Sequence, residues 1–190
     1  MLDEKQTVKV SKFLSLVLRH NPQAVGVTLD EAGWVGVDEL LAACAAHGRR
    51  ISRADLDHVV ATNNKRRFAY SLDGRRIRAS QGHSVPVELG LPATAPPDVL
   101  YHGTAAAAWP LIRQEGLRPM SRQDVHLSAA PGTALRVGAR HGRPVVLVVD
   151  AAGMAAAGHA FRVSDNGVWL TDAVPPRWLR QAPQGGPGRR

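Results

Sequence analysis

Between Lys5 and Arg19 the apolar residues Val10, Phe13, Leu14 and Val17 recur at helical spacing, which predicts an amphipathic helix stopped by Asn21-Pro22. Its C-terminal end presents Arg19 and His20. Val25-Gly26-Val27-Thr28-Leu29 and Trp34-Val35-Gly36-Val37, on either side of a turn at Asp30–Gly33, predict two very short strands. Asp38 reads as the N-cap of a helix through Leu40, Leu41 and Cys44 that Gly48 closes. Ser52, with Asp55 three residues on, reads as a capping box opening a helix through Leu56, Val59 and Val60. Phe68–Leu72 and Ile77–Ala79 flank Asp73-Gly74, a hairpin signal. Three helices followed by a β-hairpin is the order of a winged helix.

A stretch with Pro92, Pro96 and Pro97 among small residues then predicts a stiff connection over residues 91–98. Beyond it the pattern gives a strand at Val99–His102, a helix around Ala107–Glu115, a strand at Val125–Leu127 and a helix over Pro131–His141. A buried strand at Val145–Val149 and a short helix near Ala151–Ala157 follow. A hairpin then pairs Phe161–Ser164 with Val168–Thr171 across Asp165-Asn166-Gly167. Residues 181–190 are rich in Gly, Pro and Arg, and a disordered tail is expected there. The chain is expected to be α+β, with a first lobe over 1–90 and a second over 99–180.

Composition narrows the class. With 190 residues, 44% hydrophobic and 21% charged, the chain has enough apolar material for one mid-sized or two small cores. No apolar run approaches a membrane span, so neither a membrane nor a secreted location is expected. The single Cys44 allows no internal disulfide and no cysteine-based zinc site, which suits a reducing cytoplasm. The net charge of +8 comes almost wholly from arginine, and both halves are basic. A polyanion such as nucleic acid is the expected partner.

The candidate chemistry lies in Leu18-Arg19-His20-Asn21, Asn63-Asn64-Lys65-Arg66-Arg67-Phe68, Gln81-Gly82-His83-Ser84, Tyr101-His102-Gly103-Thr104 and the run from Ser121 to Ser128. None supplies a carboxylate pair, a metal-binding triad or a phosphate-cradling glycine loop, so no metal is expected. An enzyme built on these stretches works with arginines and histidines on an anion. Each stretch also has an ordinary structural reading. Arg19 and His20 suit a helix C-terminus, Lys65-Arg66-Arg67 a solvated hairpin edge, and His102 and His126 a strand whose backbone satisfies them.

Taken as an ordered set, these motifs resemble the NAD-dependent RNA 2′-phosphotransferase family, also known as the KptA and tRNA 2′-phosphotransferase family. The resemblance runs from about Val10 to Leu179. It rests on Leu-Arg-His-Asn-Pro at 18–22, Gly-Trp-Val at 33–35, Asn-Lys-Arg-Arg-Phe at 64–68 and Ile-Arg-Ala-Ser-Gln-Gly-His-Ser at 77–84. Leu-Tyr-His-Gly-Thr at 100–104, Met-Ser-Arg-Gln-Asp-Val-His-Leu-Ser at 120–128 and Asn-Gly-Val-Trp-Leu-Thr at 166–171 complete it.

The resemblance implies an RNA-holding winged-helix lobe, an ADP-ribosyltransferase-like lobe that takes NAD as co-substrate, and a reaction in the cleft between them. An internal RNA 2′-phosphate would attack the nicotinamide-bearing ribose carbon of NAD and expel nicotinamide. The ribose 2″-hydroxyl would then attack that phosphorus, releasing 2′-hydroxyl RNA and ADP-ribose 1″,2″-cyclic phosphate. The implied catalytic residues are Arg19, His20, Arg67 and Arg122. Arg67 is preferred to Arg66 because it directly precedes Phe68. Contacts to NAD fall on His102, Gly103, Thr104, His126, Ser128, Asn166 and Gly167, and contacts to RNA or phosphate on Lys65, Arg66, Arg78, His83 and Ser84. The expected partners are 2′-phosphorylated RNA and NAD, with a monomer as the default state.

Two other readings are open. One is an ADP-ribosyltransferase acting on nucleic-acid 5′-phosphates or on protein, although Val168-Trp169-Leu170-Thr171 lacks the glutamate that many protein-modifying relatives carry on a late strand. The other is a winged-helix DNA-binding regulator, for which Arg53, Asp55, Asp57 and His58 make a mixed and unsuitable helix face.

Overall fold

The structure, a computed structural model, describes residues 2–63 and 65–183. The fold is mixed α and β with small antiparallel sheets, and it divides into two compact units. The first comprises the chain up to Leu91 together with Ser121–Gln123 and Ser164–Asn166. The second comprises Pro92–Met120, Asp124–Val163 and the chain from Gly167 onward.

In the first unit, helix α1 (Glu4–Arg19) opens on an Asp3 capping box closed by Gln6 and buries Ser11, Leu14, Val17 and Leu18. These positions form one stripe three and four residues apart, and they pack against α2 (Val37–Ala46) and α3 (Arg53–Thr62) in a core with Leu40, Leu56 and Val59. Ser52 caps α3 with Asp55 in the reciprocal arrangement. A three-stranded antiparallel sheet, ordered β1 (Val35–Gly36), β3 (Arg76–Ala79), β2 (Phe68–Tyr70), covers one side of that core through Val35, Phe68 and Ile77.

Two local expectations change. Val25–Leu29 is not a strand: Pro22 opens a 3₁₀ turn over Pro22–Val25, and Gly26, at φ 69°, ends it. The alternation of Val25 and Val27 marks burial rather than pairing, since both sit in the core. Helix α2 is capped at Gly36, two residues before Asp38, because the Val37 N–H donates to the Arg75 carbonyl at 2.8 Å and starts the helix from the sheet. Asp38 and Glu39 lie instead in the first turn, where negative charge is favourable.

In the second unit, β4 (Val99–Ala105) pairs along its whole length with β6 (Pro144–Asp150), and β9 (Leu179–Gln181) adds to the far side of β6. A second sheet is ordered β5 (Val125–Leu127), β8 (Trp169–Thr171), β7 (Arg162–Val163). The two sheets meet where Tyr101 and Ser128 exchange backbone hydrogen bonds of 2.8 Å. Helices α4 (Trp109–Glu115), α5 (Pro131–Gly138) and α6 (Ala151–Ala156) complete the unit around a core that includes Leu100, Leu147, Met154 and Phe161. Gln181, expected in a tail, is instead paired opposite Leu147. Residues 184–190 of that expected tail lie outside the described residues.

Helix α5 lies so close to β4 that only glycine fits at the crossing. A Cβ on Gly103 would collide with the carbonyl oxygen of Ala134 and come within 2.9 Å of the Gly138 nitrogen. One on Gly138 would meet the Thr104 carbonyl oxygen at 2.7 Å. Gly103→Ala must therefore push the helix off the strand. Chemical denaturation is expected to read a loss of at least about 2 kcal/mol, and wild-type stability would show that the crossing relaxes freely.

Candidate anion site and nucleotide strand

The C-terminal end of α1 carries the first two candidate side chains, Arg19 and His20. A helix end leaves carbonyls without intrahelical partners, and here that of Arg19 accepts the Ser84 N–H at 2.9 Å and the Val85 N–H at 3.4 Å. The segment around Ser84 is thereby strapped to the helix terminus. The Ser84 hydroxyl lies 2.9 Å from Nδ1 of His20, the C-cap residue. One residue earlier, the His83 carbonyl accepts the N–H of Gln123 at 3.3 Å, which fixes the short segment that carries Arg122.

Arg67 arrives by a different route. Arg66 adopts a left-handed backbone at φ 41°, turning the chain between α3 and β2. The turn is held by the Ser80 hydroxyl on the Arg66 carbonyl at 2.8 Å and the Ser80 N–H on the Arg67 carbonyl at 2.9 Å. Beyond it, Arg67 Nη1 donates to Asn63 Oδ1 at 3.3 Å, while Asn63, itself buried, donates through Nδ2 to the Ser11 hydroxyl at 3.3 Å. Asn63 thus ties α1 to the arginine, a role that only the tertiary structure reveals. Its one sequence signal is its place ahead of the basic run.

Arg19, His20, Arg67 and Arg122 bear on one another electrostatically. Burial, and then the charges of Arg67 and Arg122, push the Arg19 guanidinium down to about 10. Burial, followed by Arg19 and Arg122, lowers His20, and burial lowers Arg122. Two buried Arg19 nitrogens, Nε and Nη2, have no hydrogen-bond partner. Buried charged donors without acceptors are costly, and a cluster of like charge adds to that cost. An anion seated among these groups would relieve both. Among the described residues, no three His, Cys, Asp or Glu side chains gather as a metal would require.

The remaining residues singled out in this unit are used in other ways. Arg78 stacks over Trp34 at 4.5 Å and donates from Nη1 to the carbonyls of Ala32 and Leu89 at 3.3 and 3.2 Å, bracing the sheet against the chain around residue 89. His83 is only 2% exposed, and burial, then Arg19, Arg78 and His20, push its imidazole down to about 4. Lys65 and Arg66 are exposed. The Lys65 carbonyl accepts Nδ2 of Asn166 at 3.0 Å, and Oδ1 of Asn166 takes the Ser164 hydroxyl at 2.6 Å. Asn166 therefore belongs with the basic run, in the first unit, while Gly167, at φ 77°, falls in the second.

In the second unit, His102 Nδ1 lies 3.0 Å from the His126 carbonyl. A carbonyl only accepts, so Nδ1 is the donor of this bond and the contact fixes the plane of the ring. Gly103 adds a second feature. Tyr101 directs both backbone groups toward Ser128, away from β6, and a strand repeats every two residues. The N–H and C=O of Gly103 therefore point to the same side as those of Tyr101. Thr104 is buried at the helix crossing, and Ser128 makes the bridge to Tyr101. Arg162, which drew no notice in the sequence, holds Asp124 and Asp172 at 2.8 Å each, tying together the ends of β5 and β8.

Comparison with known proteins places the chain in a class of transferases. The model of the RNA 2′-phosphotransferase, Tpt1 / KptA family matches residues 5–173, and the chain belongs to that family. It is 62% identical over 185 residues to a protein of Streptomyces griseus named as a probable RNA 2′-phosphotransferase, covering 94% of this chain and 98% of that one. A protein of the same name from Streptomyces coelicolor is 62% identical over 179 residues, covering 94% and 97%. One from Herpetosiphon aurantiacus is 56% identical over 178 residues, covering 94% and 98%. Among the described residues, no helix is long and apolar enough to cross a membrane.

Two predictions follow from the buried charge. Replacing Arg19 by Met removes the unpartnered donors, so the variant should melt about 2–4 °C higher, while millimolar inorganic phosphate should raise the melting temperature of the wild type only. A lower melting temperature, or equal stabilisation of both proteins by phosphate, would refute the anion-site assignment. For His83, the folded state resists protonation until about pH 4 whereas the unfolded imidazole titrates near 6.5. The stability it contributes is full above pH 6.5 and drains away as pH falls toward 4, about 3 kcal/mol in all. Urea unfolding at pH 7 and 4.5 should show a markedly smaller acid loss in His83→Gln, and identical losses would count against a neutral buried imidazole.

Proposed function

We propose that this protein removes an internal 2′-phosphate from RNA by transferring it to NAD, through an ADP-ribosylated 2′-phosphate intermediate. The products are 2′-hydroxyl RNA, ADP-ribose 1″,2″-cyclic phosphate and nicotinamide. The observation that carries the reading is the convergence of Arg19, His20, Arg67 and Arg122, with two buried Arg19 donors lacking a protein acceptor. A phosphate under nucleophilic attack builds charge on its outer oxygens, and guanidinium forks fixed in advance stabilise that charge without reorganising. His20, kept neutral by burial and its cationic neighbours, is suited to take the proton of an attacking hydroxyl.

NAD would supply the ADP-ribosyl group that the phosphate attacks, with nicotinamide as a neutral leaving group. His102, its ring oriented by the His126 carbonyl, would meet a ribose hydroxyl, and the N–H and C=O of Gly103, turned to the same side as those of Tyr101, would meet the carboxamide. The winged-helix and ADP-ribosyltransferase-like descriptions of the two units, and a cytoplasmic place of action, go with this reading. It is favoured over protein modification because β8 carries no carboxylate.

The test is incubation of a 2′-phosphorylated oligonucleotide with NAD, following phosphate loss and nicotinamide release. The wild type should perform both without added divalent metal. Arg67→Ala and Arg122→Ala should each slow the second step about a hundredfold, so that ADP-ribosylated RNA accumulates. Inactivity of the wild type on this substrate would overturn the function, and variants with wild-type rates would remove the two arginines from the chemistry.

A further inference from the structure

Ser84 stands where its backbone and its side chain act on two neighbouring residues at once. Its N–H closes the Arg19 carbonyl at 2.9 Å and its hydroxyl meets His20 Nδ1 at 2.9 Å, so the imidazole plane is set by a residue that is itself fixed to the helix end. The adjoining His83 carbonyl holds Gln123, so one strap locates both the histidine and the segment bearing Arg122. This strap lies 64 residues from His20 in sequence.

A neutral imidazole has one N–H, and a hydroxyl can serve either end of the bond, so the tautomer is decided by the surroundings. The charged and titratable groups that act on His20 are Arg19 on α1, Arg122 on its short segment and His83 on the strap. The two arginines are donors only, and their positive potential favours a bare ring nitrogen over a second N–H. A bare Nε2 therefore requires the one remaining proton on Nδ1, with the Ser84 hydroxyl 2.9 Å away as its acceptor. We propose that Ser84 is a positioning residue that accepts the Nδ1 proton of His20 and so presents Nε2 as the base of the anion site. The inference rests on the function proposed above and adds to it a residue that sets the base without touching the reacting atoms.

The experiment reads the tautomer and the reaction separately. In protein labelled with ¹⁵N-histidine, long-range proton–nitrogen correlations at neutral pH report which ring nitrogen carries hydrogen, and His20→Gln identifies the His20 signals among the eight histidines. The wild type should show a protonated Nδ1 and a bare Nε2. Ser84→Ala should mix or reverse that pattern and lower kcat about tenfold with KM for the oligonucleotide within about twofold, and Ser84→Thr should restore both. A wild-type His20 protonated on Nε2, or a tautomer unmoved by Ser84→Ala, overturns the inference. A raised KM with intact kcat also overturns it, since Ser84 would then be an RNA contact. A tautomer that responds to Ser84→Ala in a protein inactive on 2′-phosphorylated RNA supports the Ser84–His20 coupling and overturns only the functional reading.

Discussion

The arrangement depends on where one helix stops. Because Asn21-Pro22 ends α1 directly after Arg19 and His20, the helix terminus offers a bare carbonyl, an arginine and an imidazole at a single point. The carbonyl recruits the backbone of Ser84 and Val85, the imidazole recruits the hydroxyl of Ser84, and the guanidinium is left with buried donors that the protein does not fill. A different stopping point would rotate these groups around the helix by about 100° per residue and disperse them. The helix interior, with Leu14, Val17 and Leu18 fully buried, keeps that point still.

Much of this was legible in the chain, and the reasons for the remainder are physical. The α1 stripe, the Ser52–Asp55 box and the Asp73-Gly74 hairpin are local signals, each complete within a few residues, and each stands where its pattern places it. Val25–Leu29 misleads because alternation reports that one side is buried and says nothing about a partner strand, and none lies beside it. Leu179–Gln181 is hidden for the opposite reason, being an edge strand with a half-buried pattern too short to repeat. Asn63 and Ser84 lie in stretches the sequence marks, but the ties they make could not be read from it. Each tie consists of hydrogen bonds to residues far along the chain, which no local pattern records.

The two units meet their demands by different means. In the first, the proposed chemistry falls on side chains, and charge is tolerated at a cost in stability, as functional sites commonly require. In the second, the function proposed above falls on the backbone of β4, and the absence of a side chain at Gly103 is what lets α5 pack against it. Its neighbours are held by ordinary structural bonds, His102 to the His126 carbonyl and Ser128 to Tyr101, so that the same contacts that build the sheet also orient the candidate groups.

The membership of Ser121–Gln123 and Ser164–Asn166 in the first unit bears on how the protein is made. A ribosome delivers the chain from its N-terminus, and the helices and hairpin of residues up to Leu91 can assemble while the rest is still being synthesised. Arg122 and the Asn166 tie to Lys65 arrive only after most of the chain has emerged. The cluster of like charge around Arg19 is therefore completed late, on a scaffold already in place, and the early nascent chain carries Arg19 and Arg67 without Arg122, which also presses on Arg19 in the finished protein.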